Sequence, residues 1–133
     1  MTDTARLHHY AQNITPGTLE AVIEMYRLLG AEVVYRPNTA NNWAMVGQPN
    51  LNFSIQIIEV KTAAIADIAV KRNVHLAFLS DAPQCVVGQI EAWAATKKIE
   101  FRKGGRSDKE LYFDLPEIFV DFVIEVMDSS IAE

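Results

Sequence analysis

The sequence predicts an α+β fold built from two copies of one βαβββ module, and three observations carry the prediction. Segments with strand and helix patterns follow in the order βαβββ, then a connector, then βαβββ again. Short motifs in the strands of the first half return in the second half. The composition is that of one globular domain: 133 residues, 50% hydrophobic and 22% charged, enough for a sizeable core and too apolar for a disordered chain.

The elements follow in order. Residues 6–14, "RLHHYAQNI", read as a strand. In "TPGTLEAVIEMYRLLG", Leu19, Val22, Ile23, Tyr26 and Leu29 fall on one helical face. Thr15 or Thr18 is placed to cap that helix, Pro16 suits its first turn and Gly30 stops it. "AEVVYRP" is a strand ended by the turn-rich "PNTANN", and "WAMVG" and "LNFSIQIIEV" are two more strands separated by "QPN". A connector follows, with a short helix expected over "AAIADIAV". "NVHLAFLS" opens the second set as a strand. "DAPQCVVGQIEAWAATKK" is a helix whose apolar stripe is Val86, Val87, Ile90, Trp93 and Ala94. "IEFRK" is then a strand, "GGRSD" a turn, "ELYFDL" a strand, and "FVDFVIEVMD" the last strand. The expected organisation is a single domain over 1–133, with module one at 6–60, a linker at 61–72 and module two at 73–128.

Charge and cysteine usage narrow the function. A net charge of −5 and a pI near 5.2 disfavour nucleic acid and anionic membrane surfaces as partners, because both require basic patches. The single cysteine, Cys85, permits no internal disulfide and no cysteine metal cluster, which fits a reducing, cytoplasmic location. "MTDTARLHHY" has no apolar signal core, and no apolar run reaches the roughly 20 residues of a membrane span.

Sliding the chain by 66 positions superposes "HYA" at His9 on "HLA" at His75, "YR" at Tyr35 on "FR" at Phe101, and "IIEV" around Glu59 on "VIEV" around Glu125. The helices match less well. The repeat therefore gives each half one histidine and one glutamate at equivalent places: His9 with Glu59, and His75 with Glu125. A carboxylate in an apolar strand is costly unless it is paired or metal-bound. If the halves pack about a pseudo-twofold axis, two imidazoles and two carboxylates can converge as a mixed N/O ligand set for Zn, Ni, Co, Mn or Fe(II). The competing readings are core or surface histidines and strand-end glutamates that reach solvent. Gln56, three residues before Glu59, is a rival for the ligand of its strand, on the opposite face unless a bulge intervenes. His8 alternates with His9 and is a bystander. Arg36 and Arg102, also a repeat pair, are candidates for holding an anionic substrate group. Cys85, at a helix start, is by default a small packing residue.

The βαβββ repeat, the strand opening "HHYA", the strand opening "VHLAF" and the endings "IIEV" and "VIEV" resemble the vicinal oxygen chelate superfamily over roughly residues 6–128. That superfamily includes glyoxalase I, extradiol dioxygenases, and fosfomycin- and bleomycin-resistance proteins. The resemblance implies two four-stranded mixed sheets curled into a half-barrel, helices outside, and a homodimer. It implies metal ligands at His9, Glu59, His75 and Glu125, a set similar to that of bacterial glyoxalase I. The turn before the last strand, usually "DPDG" in the family, is here "DLPEIFVDF". The activity implied is that of a metal-dependent lyase or isomerase of glyoxalase type. Its small-molecule substrate would offer two neighbouring oxygens, an enediolate or enolate would be stabilised, and Glu59 or Glu125 would serve as general base. Two alternatives stand beside it. One is an Fe(II) extradiol-type dioxygenase using His9, His75 and Glu125. The other is a non-enzymatic antibiotic binder of bleomycin-resistance type.

Overall fold

The computed structural model describes residues 4–38 and 42–132. Part of the turn expected in "PNTANN", residues 39–41, lies outside the described residues. Two four-stranded mixed sheets make up the protein. The first has the spatial order β1 (His9–Ile14), β4 (Ser54–Glu59), β3 (Trp43–Gly47), β2 (Glu32–Tyr35). The second repeats it with β5 (His75–Ser80), β8 (Val123–Asp128), β7 (Glu110–Asp114), β6 (Arg102–Ser107). In each sheet the first strand runs parallel to the last and the other pairs are antiparallel. A parallel pair needs a long crossover. Helix α1 (Leu19–Leu28) and helix α3 (Pro83–Lys97) begin those crossovers, and a short helix α2 (Ile68–Lys71) lies between the modules.

Alternation along the strands decides which face is covered. Ile55 and Ile57 on β4, Ala44 and Val46 on β3, and Ile14 on β1 point to one side and are buried. They meet the predicted stripe of α1, where Leu19, Val22, Ile23, Tyr26 and Leu29 are all buried. In the second module Ile124 and Val126 meet Val87 and Ile90 of α3, with Val86 and Trp93 packed at the margin. Each such burial contributes ~1.5–3 kcal/mol relative to exposure. The two modules share one core. Trp93 Nε1 and Lys97 Nζ on α3 donate to the Glu24 carboxylate on α1 at 3.1 and 3.3 Å, fixing helix against helix.

Two sequence expectations are corrected. The last strand begins at Val123 rather than near residue 119, because Phe119 and Val120 belong to an inter-module strap. Thr15 N donates to Ile118 O at 3.0 Å and Val120 N to Asn13 O at 3.1 Å, so this backbone is satisfied by module one. The Phe119 ring stacks on Phe122 at 4.4 Å and fills the shared core. Gly104 and Gly105 lie inside β6 rather than in a turn. A Cβ at Gly104 would stand 2.5 Å from the Tyr112 hydroxyl, so the glycine lets the Tyr112 ring lie across the neighbouring strand.

Candidate metal and substrate site

The helices occupy one face of each sheet, and the histidines lie on the other. Register fixes this. His9 is paired with Ser54 and Ala11 with Gln56, so His9 and Gln56 share the open face of the first sheet. Met45 of β3 is paired with Gln56 and joins them, with Trp43 and Tyr35 at the edge, their rings 5.6 Å apart. The His9 ring meets His8, with Nδ1 2.9 Å from the His8 Nδ1.

The open face of the second sheet holds the more developed arrangement. His75 is paired with Val123 and Ala77 with Glu125, so His75 and Glu125 point the same way. His75 Nε2 lies 3.6 Å from Glu125 Oε2. His75 Nδ1 lies 2.9 Å from the carbonyl oxygen of Arg72. A carbonyl only accepts, so Nδ1 carries a proton and Nε2 is the ring nitrogen turned toward the carboxylate. Metal-binding imidazoles are commonly fixed in this way by a second partner. At 3.6 Å the two atoms are beyond hydrogen-bonding distance. Two ligands on one ion, each about 2.0–2.2 Å away, lie about 3–4 Å from each other. The pair therefore fits a shared divalent ion better than it fits a mutual hydrogen bond. Imidazole nitrogen, amide oxygen and carboxylate oxygen together form the borderline donor set that Zn, Ni, Co, Mn and Fe(II) accept.

Glu59 is placed elsewhere than expected. It is paired with Ile14 and points to the helix side of β4, not to the His9 side. Its Oε2 accepts from Leu19 N at 3.0 Å and its Oε1 from Asn42 Nδ2 at 3.3 Å. It thus caps α1, a role expected of Thr15 or Thr18. Thr18 stands at the cap position, but its hydroxyl donates to the Thr15 carbonyl instead. Partial burial works to raise the Glu59 carboxyl pKa. The amides of Gly17, Leu19 and Thr18 and the Asn42 side chain outweigh it and hold the group below its ordinary value.

The cause of the misplacement is a change of repeat offset. His9 and His75 are 66 positions apart, but their partners Ser54 and Val123 are 69 apart. Gln56, not Glu59, therefore stands where Glu125 stands. A shift of three residues reverses the face. The signal was in the sequence: the alternation Ile55-Gln56-Ile57 matches Ile124-Glu125-Val126.

A second expectation is corrected at the level of one chain. Among the described residues no three His, Cys, Asp or Glu side chains come together as a metal-holding group. His9 and the His75–Glu125 pair lie on the open faces of two different sheets. Arg36 is ion-paired with Glu20 of α1. Arg102 pairs with Glu100 at 3.2 Å and donates to the Ala66 carbonyl of the linker. Arg102 is paired in register with Asp114 and so starts from the open face of the second sheet. Arg72, which no repeat marked, reaches the same face with Nη1 3.3 Å from the Tyr112 hydroxyl. Beside them Lys71 and Asp114, both fully buried, form an ion pair at 2.9 Å. Burial pushes the Asp114 carboxyl above its ordinary range, and the Lys71 ammonium pulls the other way.

Cys85 is exposed at the start of α3. No described helix is long and apolar enough to cross a membrane.

No family model and no curated protein matches the sequence. Solved structures do match its fold. Glyoxalase I of Leishmania major, a trypanothione-dependent enzyme, is 14% identical with a TM-score of 0.64, over 97% of this chain and 90% of that one. The fosfomycin resistance protein FosX of Listeria monocytogenes, complexed with Mn(II) and sulfate, is 12% identical with a TM-score of 0.59, over 99% and 98%. TnmS3, an antibiotic binding protein from a Streptomyces species, is 11% identical with a TM-score of 0.57, over 96% and 98%.

Proposed function

We propose that this chain, which has the two-module fold of the vicinal oxygen chelate superfamily, is a metal-dependent lyase or isomerase of glyoxalase type acting on a small molecule with two neighbouring oxygens. The observation that carries the reading is the His75–Glu125 pair, with Nε2 and Oε2 turned toward each other at 3.6 Å and Nδ1 tied to the Arg72 carbonyl. His9 and Gln56 supply the complementary half. The described residues of one chain do not gather both halves, and in this reading the complete site forms between two copies, one giving His9 and Gln56 and the other His75 and Glu125. The ligand set is then His9, Gln56, His75 and Glu125, and Glu59 is structural.

A divalent ion bound there supplies Lewis-acid polarisation of a carbonyl. The chain's residues do the rest. The other three members of the set are two imidazoles and the Gln56 amide, so Glu125 is the only carboxylate of the set. It is the group available to take a proton from carbon next to the substrate carbonyl. Val123, Leu79 and Met127 flank it on the same face and make that side of the site apolar.

A second reading is favoured by the position of Glu59. With that carboxylate on the helix side, His9, His75 and Glu125 constitute the two-histidine, one-carboxylate set of Fe(II) oxygenases. The same experiment separates the readings. Purified protein is loaded in turn with Ni, Zn, Mn and Fe(II), and metal content and sedimentation are measured together. The expected result is about one ion per chain in a dimer, lost in His75→Ala and Glu125→Gln. Solvent deuterium entering the carbon beside the carbonyl of hydroxyketone probes supports the lyase or isomerase. Catechol turnover that consumes O2 only in the Fe(II) form moves the assignment to a dioxygenase. A folded dimer that takes up no ion refutes both and leaves the binding protein.

A further inference from the structure

The second sheet carries a feature that metal chemistry does not use: two cationic arms that reach β7 from the end of α2. Its strand order places β8 between β5 and β7. Lys71 and Arg72 precede β5, yet Lys71 Nζ ends on Asp114 and Arg72 Nη1 ends on the Tyr112 hydroxyl, both on β7. Lys71 ends α2 and Arg72 caps it, so both side chains reach β7 from the end of that helix. Asp114 and Tyr112 are two apart on one strand and face the same way. The arms thus run side by side. The Lys71 arm is fully buried and neutralised. The Arg72 arm is exposed, and its partner Tyr112 is paired in register with Glu125, on the open face of the second sheet.

Arg72 is bound at both ends. Its carbonyl oxygen accepts from His75 Nδ1 at 2.9 Å. Its guanidinium carbon lies 6.0 Å from the Tyr112 ring centroid. No carboxylate among the described residues pairs with it, whereas Arg27, Arg36 and Arg102 each have one. One 3.3 Å contact to a phenol leaves most of the five guanidinium donors free. A fork of free donors, held at a tyrosine on the sheet face that also carries His75 and Glu125, suits a planar or tetrahedral oxyanion.

We propose that Arg72, with the Tyr112 hydroxyl beside it, binds an anionic group of the substrate, a carboxylate or a phosphoryl group, while the substrate's neighbouring oxygens face His75 and Glu125. This rests on the metal-site reading given above for the second half of the statement only. Lys71 and Asp114 position Arg72 by pinning the end of α2 to β7.

The test has two arms. In the first, metal-free protein is titrated with inorganic phosphate while the His75 and Tyr112 ring resonances are followed by NMR. Wild type is expected to give a saturable shift of both. Arg72→Gln is expected to weaken binding by about tenfold, equivalent to ~1.4 kcal/mol. Arg72→Lys should fall between, because an ammonium keeps the charge and loses the fork. In the second arm, Co(II)-loaded protein is titrated with dihydroxyacetone phosphate and with dihydroxyacetone, read by the visible cobalt bands. Wild type should prefer the phosphate ester by about tenfold, and Arg72→Gln should abolish that preference while still binding Co(II). Phosphate binding that is absent in wild type, or unchanged in Arg72→Gln, overturns the proposal. Arg72-dependent phosphate binding in a protein that takes up no Co(II) supports the anion site and refutes the metal reading instead.

Discussion

Replacing Glu59 distinguishes a helix cap from a metal ligand. The carboxylate accepts Leu19 N at 3.0 Å and Asn42 Nδ2 at 3.3 Å, and the Gly17 and Thr18 amides also favour its charged form. Removing a capping side chain costs about 0.5–2 kcal/mol, and hydrogen bonds to a charged group lie toward the upper end. The α1 N-terminus also loses a charge aligned with its dipole. Glu59→Ala should therefore lose ~1.5–2 kcal/mol. At ~2.1 cal/mol/K of unfolding entropy per residue, that is a fall of about 5–7 °C in Tm for a chain of 133 residues. Glu59→Gln should lose less, because its amide oxygen still accepts from Leu19 N. The effect should depend on pH in one direction. The folded carboxyl is held below its ordinary value, so its stabilisation is complete above the normal carboxylate range and disappears as pH falls through the lowered folded value. Melts of wild type and variant from neutral to acidic pH should thus converge at low pH. Metal content should stay unchanged throughout. A variant that melts like wild type but no longer binds metal would show that Glu59 is a ligand and that the register argument is wrong.

Two further outcomes follow from packing. Lys71→Met leaves the Asp114 carboxylate buried without its 2.9 Å partner and should cost about 3–5 kcal/mol in denaturant melts. Part of that loss should return as pH falls and Asp114 is protonated. The double variant Lys71→Met with Asp114→Leu should recover most of it, and a single variant within 1 kcal/mol of wild type would contradict the burial. Gly104→Ala places a methyl 2.5 Å from the Tyr112 hydroxyl and should swing that ring outward. The expected result is a loss of only ~1 kcal/mol in stability, with phosphate affinity lowered as in Arg72→Gln. Unchanged phosphate affinity would show that Tyr112 does not hold Arg72.

Much of this architecture was legible in the chain. The buried stripe of α1 was read residue by residue from helical spacing, and the eight strands from alternation and turn residues. Where strand and turn reading failed, a distant partner was responsible. Gly104 reads as a turn residue until Tyr112 is laid across it. Phe119 and Val120 read as strand until their neighbours bind module one. The site was half legible. His9, His75 and Glu125 were found from the repeat and lie on the open faces. In the sequence Gln56 stands only as a rival to Glu59, because "IIEV" resembles "VIEV" more than "SIQII" does.

The sequence by itself determined the α+β class, the duplicated βαβββ order and two strands each opening on a histidine, because periodicity and repetition are local properties of a chain. Only the tertiary structure decided which way each polar side chain points. A strand's side chains alternate, so the three-residue change of offset between the halves turns Glu59 to the helix and Gln56 to the open face. The tertiary structure also brought Arg72 to Tyr112, 40 positions apart, because the buried Lys71–Asp114 ion pair holds the end of α2 against β7.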